Sequence, residues 1–276
     1  MKRKMILVAL VSLLVAGSLL ACSGQAASQA QTVSAQDVIK RDGVKEWDLL
    51  WVSDSTGWGV AKVYAEYLSQ DLGIKINVMD KWMGGLPVGL VVKALKSKDT
   101  NSYTLDHLEE YIKMAEIIVF HGNPLQSVSK DHPGDWNCGQ KDIVDCYVNS
   151  CGMETFDVYI QHIKEVFGII YKLRAGKPTM LRAYDAYNPI MMRICTPAET
   201  LADCRTCSEN LNKAIRQAAD EMKVPLGKVF DAWNGVNHDE DPIAKGYTKD
   251  NYHPNELGAK VIASVLRELG YEMIIP

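Results

Sequence analysis

The strongest constraint on this chain is an alternation of short apolar runs with amphipathic stretches. "WDLLWVSDS" reads as a buried strand, and "GVAKVYAEYLSQDLG" follows with apolar residues at helical spacing until Gly73. "IKINVMDKW" is a second strand, followed by helical "VGLVVKALKSK" and "TLDHLEEYIKMA". "EIIVFHGN" is a third strand with a continuous apolar run, and "TFDVYIQHIKEVFGIIYKLRAG" is a long amphipathic helix. "PTMLRAYDAY" and "LGKVFDAW" supply a fourth and fifth strand around the helix "SENLNKAIRQAADEMK"; "NELGAKVIASVLRELG" closes the chain as a helix. Strands that alternate with helices pair in parallel, because each crossover helix must pack back on the sheet.

The expected architecture is therefore α/β: a flavodoxin-like three-layer α/β/α sandwich with a five-stranded parallel sheet, strand order 2-1-3-4-5. In that order strands three and four are neighbours. Their following loops lie side by side at the carboxyl edge, where such folds bind ligands.

The N-terminus stands outside this pattern. "MKRK" is a basic stretch, and the apolar run after it ends in "LLAC". The run falls short of the ~20 residues of a membrane-spanning helix and reads as a secretory signal. Leu19-Leu20-Ala21-Cys22 resembles a bacterial lipobox, which implies a signal peptide over residues 1–21 and a lipid on Cys22. A cleavable signal with an incidental Cys22 is the alternative. Residues 22–45 begin small and polar and read as a flexible tether, leaving a domain over 46–276. The expected location is outside the cytoplasm, on a membrane through the anchor. A net charge of -4 gives no reason to expect nucleic acid as a partner.

Two segments interrupt the alternation, at about 124–152 and 188–207. The first holds Cys138, Cys146 and Cys151; the second holds Cys195, Cys204 and Cys207. An exported chain keeps disulfides. If all six pair, three cysteines in each segment force at least one bridge between segments. The "CRTC" spacing has no histidine or second close cysteine pair near it, which argues against a metal site.

Near the C-terminus, "KDNYHPNELG" places Asp250 three residues before His253. On a turn, that spacing brings the carboxylate to one imidazole nitrogen and leaves the other free to take a proton from a hydroxyl. Alone, it also fits a solvated loop before a helix. Combined with Asp54-Ser55 at the end of the first strand and Asn123 at the end of the third, it resembles the SGNH/GDSL hydrolase family. The resemblance runs from about Trp47 to Gly270. It implies a serine esterase that acts on O-acyl esters through an acyl-enzyme, without metal or organic cofactor. Ser55 would be the nucleophile, with Asp250 and His253 completing the triad. Ser55 N–H, Gly85 and Asn123 would form the oxyanion hole; spacing does not decide between Gly84 and Gly85. Ser53 stands where the family has glycine. "HGNP" stands for its "GxND", so His121 replaces a glycine and Pro124 follows Asn123.

Trp58 either walls the substrate pocket or packs in the core, and His121 either lines the site or packs at the strand end. Trp136 either floors a cleft or packs in the rim. His107, His162, His132 and His238 carry no catalytic pattern, and Met191 and Met192 read as gap fillers. The expected partner is a small-molecule or glycan ester, a small acyl group on a carbohydrate being the leading case. Two readings share the same residues: acyl transfer to an acceptor other than water, and an inactive glycan- or lipid-binding lipoprotein.

Overall fold

A computed structural model of the protein describes residues 31–97, 105–122, 151–189, 195 and 198–276. The strands are β1 (Gln31–Ser34), β2 (Glu46–Ser53), β3 (Lys75–Trp82), β4 (Ile117–Phe120), β5 (Met180–Tyr184), β6 (Leu226–Gly227) and β7 (Glu272–Ile275). The helices are α1 (Ala35–Asp42), α2 (Val60–Leu72), α3 (Val88–Ser97), α4 (Leu108–Met114), α5 (Asp157–Leu173), α6 (Ala198–Glu221), α7 (Val229–Asn234) and α8 (Glu256–Arg267).

Five strands form one parallel sheet in the order β3-β2-β4-β5-β6. Counted from β2, this is 2-1-3-4-5, and helices cover both faces. The layers follow from strand alternation, since successive side chains point to opposite faces. Leu50 and Val52 of β2 join Ile118, Phe120, Leu181 and Ala183 in a core under α3, α5 and α6. Leu49 and Trp51 join Ile117, Val119, Met180 and Tyr184 under α2 and α8. A strand buried on both faces must be apolar throughout, which is why β4 reads "IIVF".

The structure corrects the sequence reading at three places. Residues 31–45 are folded rather than part of a tether: β1 pairs antiparallel with β7, Gln31 opposite Ile275, and Ala35 and Val38 of α1 are buried. This two-stranded sheet lies outside the expected five strands. The fifth strand is only Leu226–Gly227, because "VFDAWN" turns helical once Asp185 Oδ1 accepts the Phe230 N–H at 2.8 Å. The second insert is shorter than 188–207, since α6 already begins at Ala198. Cys22, and the first insert as far as Ser150 with Cys138, Cys146 and Trp136, lie outside the described residues, as do His132, Met191 and Met192.

Two disulfides are present among the described residues. Cys151–Cys207 joins the end of the first cysteine-bearing segment to α6, with Cα atoms 5.0 Å apart, the kind of bridge that full pairing of three and three would require. Cys195–Cys204 ties the short segment before α6 to the helix itself. Among the described residues, no helix is long and apolar enough to cross a membrane.

Candidate active site

The site is built where the central strand β2 runs out. Pairing holds the strand on both edges, up to Ser53 on the β3 side and Val52 on the β4 side. The chain then leaves the sheet through a tight 3-10 turn, Ser55–Gly57, capped by Asp54. Asp54 Oδ1 accepts the Thr56 N–H at 2.9 Å and also the Thr56 hydroxyl, so this buried carboxylate fixes the turn. Ser53 Oγ accepts from Trp51 Nε1 at 3.0 Å and donates to Asp54 O at 2.9 Å. The Ser53 side chain leaves no room behind the turn: a Cβ on Gly57 would lie 2.3 Å from Ser53 Oγ and 2.7 Å from the Tyr184 hydroxyl. Ser55 itself is partly exposed at the carboxyl edge of the sheet.

The loop before α8 brings Asp250 onto His253. Asp250 Oδ1 accepts the N–H groups of Tyr252 and His253, each at 2.7 Å, and Oδ2 lies 2.8 Å from His253 Nδ1. Desolvation raises the Asp250 pKa, but the hydrogen bonds from His253 and Tyr252 outweigh it and hold the pKa at about 2. A carboxylate facing Nδ1 selects the tautomer with the proton there and leaves Nε2 bare. The loop is tied at its base by Lys249 N–H to His253 O at 3.0 Å, and Asn255 caps α8 through the Gly258 N–H at 3.0 Å. Among the described residues, no hydrogen bond joins Ser55 Oγ to His253. Their connection is Trp58, three residues past Ser55, whose ring stands edge-on to the His253 imidazole with centroids 6.3 Å apart.

The second loop also meets this edge. Met83 N–H donates to Ser53 O at 3.1 Å, and Leu86 N–H closes the turn onto Met83 O at 3.1 Å. Gly85 sits in that turn at φ 60°, a left-handed conformation that favours glycine, whereas Gly84 does not have a positive φ. Asn123 lies outside the described residues. His121 packs at the strand end rather than lining the site. It is 3% exposed, stacks on Tyr184 with centroids 4.3 Å apart, and its Nδ1 lies 3.0 Å from Tyr184 O. Its Nε2 is 3.8 Å from Asp54 Oδ1, so the imidazole backs the Ser55 turn from inside.

Of the two sequence readings for Trp58, core packing does not hold: the residue is 45% exposed. Trp82, at the end of β3, stacks on it with centroids 5.7 Å apart, and the Lys249 ammonium sits over the Trp58 ring. Tyr252 is half exposed, its ring 6.4 Å from that of His253. Trp82, Lys249 and Tyr252 escaped the sequence reading. The available signal was Trp82 as the last residue of an edge strand, together with a lysine and a tyrosine inside the Asp-His loop itself.

The other described histidines lie elsewhere. His107 pairs with Glu110 on the surface, and His238 bridges Asp231 and Glu209. Among the described residues, no group of three His, Cys, Asp or Glu side chains is placed to hold a metal ion.

No protein-family model matches the sequence, and no curated protein is significantly similar to it. Solved structures are similar in fold. A lipase from a goat rumen metagenome matches with a TM-score of 0.54 and 17% identity, over 82% of this chain and 98% of that one. A GDSL-like lipase from Parabacteroides merdae matches with a TM-score of 0.52 and 12% identity, over 82% and 95%. The chain therefore has the α/β/α sandwich fold that these lipases share.

Proposed function

We propose that the protein is a serine esterase of the SGNH/GDSL type that hydrolyses O-acyl esters. The carrying observation is the Asp250–His253 pair, with Oδ2 2.8 Å from Nδ1, at the same sheet edge as the Ser55 turn and linked to it through Trp58. The likeness in fold to lipases supports the same reading.

In this mechanism His253 Nε2 takes the Ser55 hydroxyl proton as Oγ attacks the ester carbonyl carbon. The tetrahedral oxyanion is received by the Ser55 N–H, Gly85 and Asn123. Collapse breaks the bond to the alcohol oxygen, which leaves with the proton from His253. Water then attacks the acyl-enzyme carbonyl, giving its proton to His253; collapse breaks the bond to Ser55 Oγ, which takes that proton back from His253 as the carboxylic acid leaves. Ester plus water yields acid plus alcohol, with no redox change and no metal. The imidazolium formed twice per cycle is stabilised by Asp250, already ionised at neutral pH.

The same reading takes residues 1–21 as a signal peptide and Cys22 as the lipidated first residue of the mature protein, placing it on the outer face of a membrane. A fluorophosphonate probe tests the enzyme. Labelling of the folded protein that disappears in Ser55→Ala supports it, and absence of labelling makes the chain a binding protein on a hydrolase scaffold. Mass spectrometry of the N-terminus from the native host tests the anchor; an unmodified N-terminus beyond Cys22 rejects it.

A further inference from the structure

The esterase reading requires Ser55 and His253 to meet, yet they sit on separate segments, and among the described residues no hydrogen bond joins them. Ser55 stands in the turn after β2, and His253 in the loop before α8. Trp58 and Lys249 span the gap. The Trp58 N–H donates to Ser55 O at 3.2 Å, which ties the indole to the turn. The Lys249 N–H donates to His253 O at 3.0 Å, which ties the lysine to the loop. The Lys249 ammonium lies over the Trp58 ring, and the same ring stands edge-on to the His253 imidazole. Each partner of this contact is thus bonded through its backbone to one of the two residues that must meet. Trp82, at the end of β3, stacks on the indole with centroids 5.7 Å apart, so the sheet supports it. Trp58 is 45% exposed, but its ring is engaged by Trp82, Lys249 and His253, which suits a tie between segments rather than a surface for substrate.

We infer that Trp58 and Lys249 are positioning residues: their cation–π contact clamps the Ser55 turn to the Asp250–His253 loop and sets the approach of Nε2 to the serine hydroxyl. The inference rests on the esterase reading for what the alignment serves, and on the geometry alone for the clamp. The negative face of an indole attracts an ammonium, and among the described residues Lys249 forms no ion pair that would draw it off the ring. The loop has other holds. Asn255 Nδ2 donates to Gly246 O at 2.7 Å, and the Tyr187 hydroxyl donates to Tyr252 O at 2.9 Å. Cutting the clamp therefore leaves the loop attached and the protein folded, with Ser55 and His253 free to drift apart. A drift of about 1 Å between reacting groups costs up to about 10²-fold in rate.

Steady-state kinetics of the full chain on p-nitrophenyl acetate read the alignment. Both half-reactions use it, so Trp58→Leu lowers kcat about 10- to 100-fold with little change in KM. Lys249→Met lowers kcat about threefold, the share of an exposed cation–π contact. Trp58→Phe and Lys249→Arg, which keep a ring and a cation, restore most of the loss. Trp58→Leu combined with Lys249→Met is no slower than Trp58→Leu alone, because both cut one contact. Hydrogen exchange read by mass spectrometry on the same proteins needs no turnover. The peptide carrying Lys249 to His253 exchanges faster in Trp58→Leu and in Lys249→Met, while peptides of β2 and β4 keep the parent rate. If Trp58→Leu does not fold, Lys249→Met against Lys249→Arg carries both measurements. A raised KM at unchanged kcat, additive losses in the double variant, or parent-like loop exchange in the folded single variants overturns the clamp. Faster loop exchange in variants of a parent that hydrolyses no ester keeps the clamp and rejects the esterase. Hydrolysis by the parent, with kcat and exchange unchanged in the variants, keeps the esterase and rejects the clamp.

Discussion

Asp250 holds His253 twice: Oδ1 accepts the His253 backbone N–H at 2.7 Å while Oδ2 faces its Nδ1 at 2.8 Å. One carboxylate thus fixes both the path of the loop and the orientation of the ring. The DxxH spacing does this because a single loop turn lets the aspartate reach forward to the N–H groups two and three residues on, leaving its second oxygen for the imidazole.

Replacing the members of the proposed triad separates chemistry from folding. We expect Ser55→Ala and His253→Ala to reduce kcat by about 10⁴-fold or more while the thermal midpoint stays near that of the parent protein. Both side chains are partly exposed. Asp250→Asn should cost up to about 10⁴-fold through the wrong tautomer. Steady-state hydrolysis of p-nitrophenyl acetate, with melting curves on the same samples, checks this; undiminished turnover in any folded variant rejects that residue's role.

The same aspartate gives a pH signature. Its folded pKa of about 2 lies below the ordinary carboxylate value of about 3.9. A depressed pKa contributes stability that is complete above the unfolded value and lost as pH falls through the folded one. The difference in melting temperature between the parent protein and Asp250→Asn should be constant above about pH 5 and shrink between about pH 4 and 2. A difference that grows on acidification would contradict the ionised pair.

Gly57 tests how tightly the Ser55 turn is packed. A methyl group there would stand 2.3 Å from Ser53 Oγ and 2.7 Å from the Tyr184 hydroxyl, both buried. Gly57→Ala should destabilise the protein by about 1–3 kcal/mol and lower activity by displacing Ser55. Gly57→Ala combined with Ser53→Gly should recover part of both, because the double change removes the nearer of the two obstructing hydroxyls and leaves that of Tyr184. Chemical denaturation and kcat measured together check it, and an unrecovered double variant would show that Ser53 is not the main obstacle.

The two disulfides should differ in weight. Cys151–Cys207 spans 56 residues and Cys195–Cys204 spans 9. Loop-closure entropy gives about 4 kcal/mol for the longer and about 2.5 kcal/mol for the shorter. Cys151→Ser with Cys207→Ser should therefore lower the unfolding free energy more than Cys195→Ser with Cys204→Ser. Denaturation of the two double variants decides it, and the reverse order would mean that native-state packing, not chain entropy, sets the bridges' contribution.

Much of this was legible along the chain. Runs such as "IIVF" and "LLWV" are short and apolar at every position, which fits a strand buried on both faces, and helices between such strands favour parallel order. If all six cysteines pair, their parity calls for a bridge between the two segments, and Cys151–Cys207 is one. Asp250 and His253 lie within one loop, so their spacing was enough to bring them together. Tertiary structure decided what spacing does not carry. Whether "VFDAW" extends or coils depended on the buried Asp185, just past the end of β5, reaching the Phe230 N–H. Whether Gln31–Ser34 trails as a tether or pairs depended on β7, at the far end of the chain. Trp58, Trp82 and Lys249 are distant in sequence, and only the loops at one sheet edge bring an indole pair and an ammonium beside His253. Local pattern sets which face of an element is apolar; which distant side chains share a rim is set by how the elements pack.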